Sequence, residues 1–130
     1  MFLTISINTR DRSEMIDITS KVEEELKRSG LKDGVCFLFV PHTTAGITIN
    51  EGADPSVVVD IQATLNRVVP WEGAYRHLEG NSAAHIKSSL IGNSVVVFVE
   101  SGRLKLGTWQ GVFFSEFDGP RSRKVYIKFQ

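Results

Sequence analysis

The sequence is poor in cysteine and has no excess of either charge. One cysteine, Cys36, stands among 130 residues, so no internal disulfide can form and the fold must rest on its core. Its place inside an apolar run suits a small buried hydrophobe in a reducing compartment, and a cytoplasmic location is expected. Fifteen Lys plus Arg balance fifteen Asp plus Glu, so no net field draws the chain to nucleic acid or to an anionic membrane, and only local patches remain. Long hydrophobic runs are lacking too. Val35 to Val40 and Val95 to Val99 fall far short of the roughly 20 residues a membrane helix needs, and Met1-Phe2-Leu3-Thr4 lacks the features of an export signal. What is present is ordinary for a globular protein: 42% hydrophobic and 23% charged residues exclude a disordered, collagen-like or coiled-coil chain. At this length a single domain over residues 1–130 is expected, burying about two-thirds of the surface its unfolded form exposes.

Periodicity predicts mostly strands. Leu3, Ile5 and Ile7 alternate with polar residues, and Met15-Ile16-Asp17-Ile18 is the expected hairpin partner of that strand. Ser20 and Glu23 have the spacing of a capping box, Gly30 that of a helix stop, and Val22 with Leu26 forms the apolar stripe between them. Val35 to Val40 is apolar at every position, as in a central strand covered on both faces. Gly46 to Asn50 alternates again. Asp54-Pro55 opens a helix with Val58, Ile61, Leu65 and Val68 on one face until Pro70. From Pro70 to Gly80 there is neither period, and loops of this length in compact domains are more often functional than shorter ones. Asn81 caps a third helix to Ile91, on which Ile86 and Leu90 are expected to face the core. Strands follow over Ser94 to Glu100, Thr108 to Asp118 and Lys124 to Gln130. The class is α+β, an antiparallel β-rich sandwich or flattened barrel with two or three helices inserted.

Three histidines, His42, His77 and His85, fall at a strand end, in the long loop and on the polar face of a short helix. Three imidazoles with an open fourth position form the ligand set of several catalytic zinc sites, and Glu51 or Glu79 can orient a ligand or move a proton. Such a site requires imidazoles within about 4 to 7 Å of one another. Their spacing matches no short zinc signature, so separate hydrogen-bonded histidines are the alternative. On Thr108 to Asp118, alternation sets Trp109, Phe113 and Phe117 on a core side and Gln110, Val112, Phe114, Glu116 and Asp118 on the other, read either as solvent face or as the edge of a polar site. In the turn Asp118-Gly119-Pro120-Arg121-Ser122-Arg123-Lys124, Arg121 suits bidentate contact with phosphate, with Lys87 adding a point charge.

Taken together, Pro41-His42-Thr43-Thr44-Ala45, Ile49-Asn50-Glu51, Tyr75-Arg76-His77 with Glu79-Gly80-Asn81, Ala84-His85-Ile86-Lys87, and Gly107-Thr108-Trp109-Gln110 followed by Phe114 to Arg121 resemble the YjbQ-type family of small proteins along nearly the whole chain. The resemblance implies a jelly-roll-like sandwich, a homotrimer and weak, secondary thiamine-phosphate synthase activity, joining a pyrimidine diphosphate to a thiazole phosphate with loss of pyrophosphate. On this reading His77, Glu51 and Gln110 are the catalytic candidates, and Asn50, Asn81, Lys87 and Arg121 bind substrate. His42, His77 and His85 hold a divalent metal, Zn or Mg. The alternative is a trimeric metal- or phosphorylated-ligand-binding protein without native turnover. Nucleic-acid binding is disfavoured by the neutral net charge and by the lack of an exposed aromatic ladder in the sequence pattern.

Overall fold

The computed structural model describes residues 2–130. Two antiparallel sheets face each other across one core. The five-stranded sheet has the order β1-β8-β3-β5-β6 and the three-stranded sheet β2-β7-β4. The strands are β1 (Leu3–Asn8), β2 (Glu14–Asp17), β3 (Gly34–Phe39), β4 (Ala45–Glu51), β5 (Ser94–Glu100), β6 (Arg103–Leu104), β7 (Gln110–Glu116) and β8 (Ser122–Phe129); the helices are α1 (Thr19–Ser29), α2 (Pro55–Val68) and α3 (Ser82–Ile91). Alternate residues of each sheet point inward: Ile7, Cys36, Leu38, Val97, Val125 and Ile127 from one, Ala45, Ile47, Val112 and Phe114 from the other. Val22 and Leu26 of α1 join the same cluster, as their four-residue spacing requires. Burial of each large side chain contributes about 1.5 to 3 kcal/mol.

Several local expectations are corrected by the register. Residues 15–18 do not fold back on β1: β2 pairs with β7 in the other sheet, and β1 pairs with β8. Period-two alternation fits either partner equally, and only the distribution of buried faces decides. β8 is therefore internal, between β1 and β3, although the half-buried alternation of Val125 to Phe129 fits an edge strand equally well. The capping box at Ser20 is not formed, because the helix begins two residues earlier, at Thr19 with Ile18 as N-cap, and Asp17 Oδ1 accepts from the Thr19 amide at 2.9 Å. Glu23 turns instead to Arg103, and Arg28 pairs with Glu25. Gly30 ends the helix in the left-handed conformation, φ 74°, as its position implied. Asp54 caps α2 by accepting from Ser56 N at 2.9 Å, but no residue of that helix is fully buried and Val68 lies exposed.

β3 also differs from the expectation of two covered faces. Its inward residues are buried, yet Phe37 and Phe39 are 41% and 43% exposed on the outer face, where Val96 and Phe98 of β5 are 54% and 69% exposed. Phe39 stacks on Tyr126 of β8, which in turn touches Phe2. An exposed aromatic row, whose lack weighed against nucleic acid, is thus present on this sheet, because an uninterrupted apolar strand in one chain supplies two apolar faces and the chain covers one. Among the described residues, no helix is long and apolar enough to cross a membrane.

Cys36 is fully buried, and burial pushes its thiol pKa up to about 12, with Glu23 adding to the shift. The folded protein is therefore expected to resist alkylation by iodoacetamide at pH 8 and to react stoichiometrically once denatured; labelling followed by intact-mass measurement checks this.

Candidate functional site

The histidine end of the molecule is built around one buried ion pair. Glu116, the last residue of β7, points inward with no exposed surface, and Arg123 of β8 is 5% exposed. The guanidinium donates Nε to Glu116 Oε1 at 2.8 Å and a second nitrogen to Oε2, and that same nitrogen reaches Thr44 Oγ1 at 2.8 Å. Glu116 also accepts from Thr9 Oγ1 at 2.7 Å and from the Phe117 and Asp118 amides at 3.1 Å each. The solvent-face reading of this side of β7 is therefore corrected: Val112 and Phe114 belong to the inter-sheet core and Glu116 to a buried ion pair. Both faces of β7 are buried, and Trp109, expected in the core, lies outside at the strand's start. Gly119 is required by this packing, since a Cβ there would run into the Asp11 carbonyl and sit 2.8 Å from Thr9 Oγ1.

The pair pins two loops. Through Thr44 it holds the Pro41–Thr44 connection, and through the amides of 117 and 118 it orients Asp118, whose Oδ2 accepts from Asn81 Nδ2 at 2.9 Å and from Arg121 at 3.0 Å. Asn81 thus begins α3 without capping it by side chain. α3 is stitched to β4 by Ser88 Oγ donating to Ala45 O at 2.7 Å and by Ile47 N donating to Gly92 O at 3.0 Å. The approach is so close that a side chain on Gly46 would meet Gly92 O at 2.6 Å. The side chain of Ile91 is the other near neighbour. Ala83, Ala84, Lys87 and Ser88 form the buried face of α3, while Ile86 and Leu90, expected inside, are exposed.

This packing decides where the candidate residues stand. His77 and His85 come together, ring centroids 5.3 Å apart and edge to face, within the distance a shared ligand requires. His85 lies between two grooves: one of about 520 Å³ also lined by His42, Thr43 and Asn93, and one of about 430 Å³ also lined by Tyr75, Arg76 and His77. The His77 loop is tied down by Tyr75 Oη donating to Pro70 O at 2.6 Å, and Glu79 lies 3.9 Å from His77 Nε2. His42 is committed elsewhere: its Nε2 accepts the Lys124 amide at 2.9 Å. The three-imidazole set therefore does not fit as one metal site in this chain, although the His77–His85 pair fits as two ligands. Burial, and then the neighbouring Arg123 cation, holds the His42 pKa below its ordinary value.

The remaining candidates are divided. Arg121 is half-exposed near the start of α3, braced by Asp118. Lys87 is 2% exposed and donates Nζ to Asn66 Oδ1 in a small buried space with Met15 and Phe117. It faces away from the grooves, and burial lowers its pKa, with Arg12 adding to the effect. Glu51 and Gln110 are cross-strand partners at the far end of β4 and β7, whereas Ala45 and Glu116 pair at the histidine end. Six residues of strand separate the two ends by about 20 Å. There Glu51 accepts from the Ala53 amide, Asn50 from the Glu51 amide, and Gln110 from the Gly107 amide. Each holds a loop.

The YjbQ-like UPF0047 family model matches residues 3–130. The chain is 56% identical over 129 residues to UPF0047 protein YugU of Bacillus subtilis, covering 98% of both chains. It is 52% identical over 128 residues to a UPF0047 protein of Methanocaldococcus jannaschii, covering 98% of this chain and 93% of that protein. A crystal structure of an uncharacterised YjbQ/UPF0047-family protein from Clostridium acetobutylicum superposes with a TM-score of 0.96 at 53% identity, over 98% of this chain and 99% of that one.

Two outcomes follow from the geometry. Arg123→Met leaves the Glu116 carboxylate buried and unpaired and is expected to cost about 3 to 5 kcal/mol in denaturant unfolding; Arg123→Lys should recover little, because one ammonium cannot span both carboxylate oxygens and Thr44. His42, with its folded pKa below the unfolded value of about 6.5, contributes stability that is complete above that pH. As pH falls, the unfolded chain takes up the proton first and stability is lost. His42→Gln should therefore show a shallower fall in thermal midpoint between pH 7 and pH 5 than the parent.

Proposed function

The chain belongs to the YjbQ-like UPF0047 family, and we propose that it is a transferase of phosphorylated small molecules, of thiamine-phosphate synthase type. In that reaction the thiazole nitrogen forms a bond to the methylene carbon of the pyrimidine, the carbon–oxygen bond to the diphosphate breaks, and pyrophosphate leaves with the electron pair. The observation that carries the reading is that His85 borders two adjoining grooves, with His77 in one and His42 in the other. Two substrates in adjoining grooves bring their reacting atoms together at the shared wall, which is the positioning such a displacement requires. Asn81 and Asp118 brace Arg121, whose guanidinium is suited to the departing phosphate oxygens. With the histidine pair free of metal, His77, exposed on its loop, serves as the acid that protonates the departing pyrophosphate.

A divalent ion on the His77–His85 pair would supply charge neutralisation to pyrophosphate. Self-assembly is part of the reading. Phe37, Phe39, Val96 and Phe98 form an exposed apolar strip of the kind that marks an interaction surface, and a homotrimer would cover it. Glu51, Asn50 and Gln110, some 20 Å from the histidines by strand length, enter such a site only across a subunit boundary. Neutral net charge favours a self-contact there over nucleic acid. A free thiol in the core accords with a cytoplasmic setting.

Pyrophosphate release from a pyrimidine diphosphate and a thiazole phosphate tests the proposal. His77→Ala should leave the thermal midpoint nearly unchanged and reduce turnover at least about 10²-fold. No turnover above a protein-free blank, with phosphorylated ligands still bound, would replace the transferase by the binding protein.

A further inference from the structure

The place of His42 at the end of β3 determines its chemistry. β3 ends at Phe39, opposite Tyr126, so the Lys124 amide, further back along β8, has no β3 partner on that side. The His42 ring takes the partner's place, with Nε2 2.9 Å from that amide. A peptide N–H can only donate, so Nε2 must present its lone pair, and a neutral imidazole that does so carries its proton on Nδ1. Among the described residues Nδ1 has no hydrogen-bond partner, and it is not a buried atom. It opens instead toward the groove bordered by Thr43, His85 and Asn93, whose lining contains no acidic residue. A cationic ligand would find no counter-charge there, whereas an oxygen acceptor would find donors.

We infer that His42 acts in this groove as a neutral hydrogen-bond donor through Nδ1–H, directed at a phosphate oxygen of the ligand, and not as a metal ligand or base. The phosphate class rests on the transferase reading above; the tautomer does not. Charged groups around the ring agree with the neutral form. Burial and Arg123 from β8 disfavour a proton, as does the Lys124 ammonium, while Glu116 from β7 acts in the opposite sense with its carboxylate already bridged by Arg123. A metal on this histidine would require an imidazolate, or a ring turned away to leave the Lys124 amide without its acceptor. A neutral imidazole donor is well matched to stabilising negative charge on a substrate oxygen without giving up its proton.

The test combines a spectroscopic measurement on the parent with two isosteres. Long-range ¹H–¹⁵N correlation spectra at pH 7.5 should show His42 protonated at Nδ1 and unprotonated at Nε2; an Nε2–H tautomer or a doubly protonated ring overturns the inference. Inorganic pyrophosphate is the binding probe. His42→Gln keeps an acceptor for the Lys124 amide and loses the Nδ1 donor, so it should hold the parent's thermal midpoint and bind pyrophosphate about tenfold more weakly. His42→Asn keeps a donor near Nδ1 and loses the acceptor, so it should melt lower and bind within about threefold of the parent. Parent-like affinity in His42→Gln, or no pyrophosphate binding by the parent at millimolar concentration, overturns the assignment of phosphate as the donor's target. Absence of synthase turnover, with pyrophosphate still bound through His42, defeats the reaction proposed above and leaves this inference standing.

Discussion

Much of the histidine end depends on the burial of one carboxylate. Glu116 sits at the end of an inward-facing row, Val112, Phe114, Glu116, with no exposed surface. An isolated charge there would cost several kcal/mol, so the surrounding chain is arranged to satisfy it. Arg123 supplies the counter-charge in fork geometry, Thr9 a hydroxyl, and the 117 and 118 amides two more donors. Apart from Arg123, which lies in β8, these partners belong to segments that follow a strand. The ion pair therefore does more for the conformation of connections than for the core: replacing both partners by apolar residues could fill the space but would release the loops that carry His42 and Asp118.

The second constraint is the closeness of α3 to β4. Gly46 lets the end of the helix, Ile91 and Gly92, lie against the strand, and Ser88 bonds the Ala45 carbonyl; together these contacts set the helix's rotation. With its small residues inward, His85 turns to the groove side, and Lys87, two residues on, turns beneath the helix to Asn66. A larger residue on the inner face would rotate or lift α3, moving His85 relative to both His42 and His77. The site thus inherits its geometry from small residues that make no contact with a ligand.

Which parts were legible in the sequence follows from the range of the physics involved. Strand existence, the Asp54-Pro55 helix start, the Gly30 stop and the Val22–Leu26 stripe are local, and periodicity with capping chemistry revealed them. Strand pairing was not legible for β2, since alternation says which residues share a face and nothing about the neighbour. The inner face of α3 was misread because Ile86 and Leu90 are more hydrophobic than Ala83, Ala84 and Ser88, whereas the helix is held by the Ser88–Ala45 hydrogen bond and by the seating of Ile91 and Gly92 on Gly46. Glu116 was visible as a carboxylate in line with Val112 and Phe114, but the sequence pattern does not mark that row as buried and places Arg123 in the turn before the final strand, so the ion pair between them was not legible. The motifs carrying the family resemblance located the histidines, yet only the fold could reveal that His42 is turned to a backbone amide and that Glu51 and Gln110 stand at the other end of their strands.

Fold and chemistry meet most directly at the end of β3. A strand that stops short of its neighbour leaves a ladder amide without a partner, and a side chain must supply the acceptor. Thr, Asn or Gln would satisfy that amide, but an imidazole does so with one nitrogen while presenting the other to solvent in a defined protonation state. The need to complete a sheet and the need to present a donor are thereby met by one ring. Because Arg123 and Lys124 are consecutive on β8, the same stretch of strand directs a guanidinium inward to Glu116 and an amide to His42. Any shift of β8 that disturbed the buried pair would also displace the hydrogen bond that sets the tautomer, so the electrostatics of the core and the protonation state at the groove are mechanically coupled.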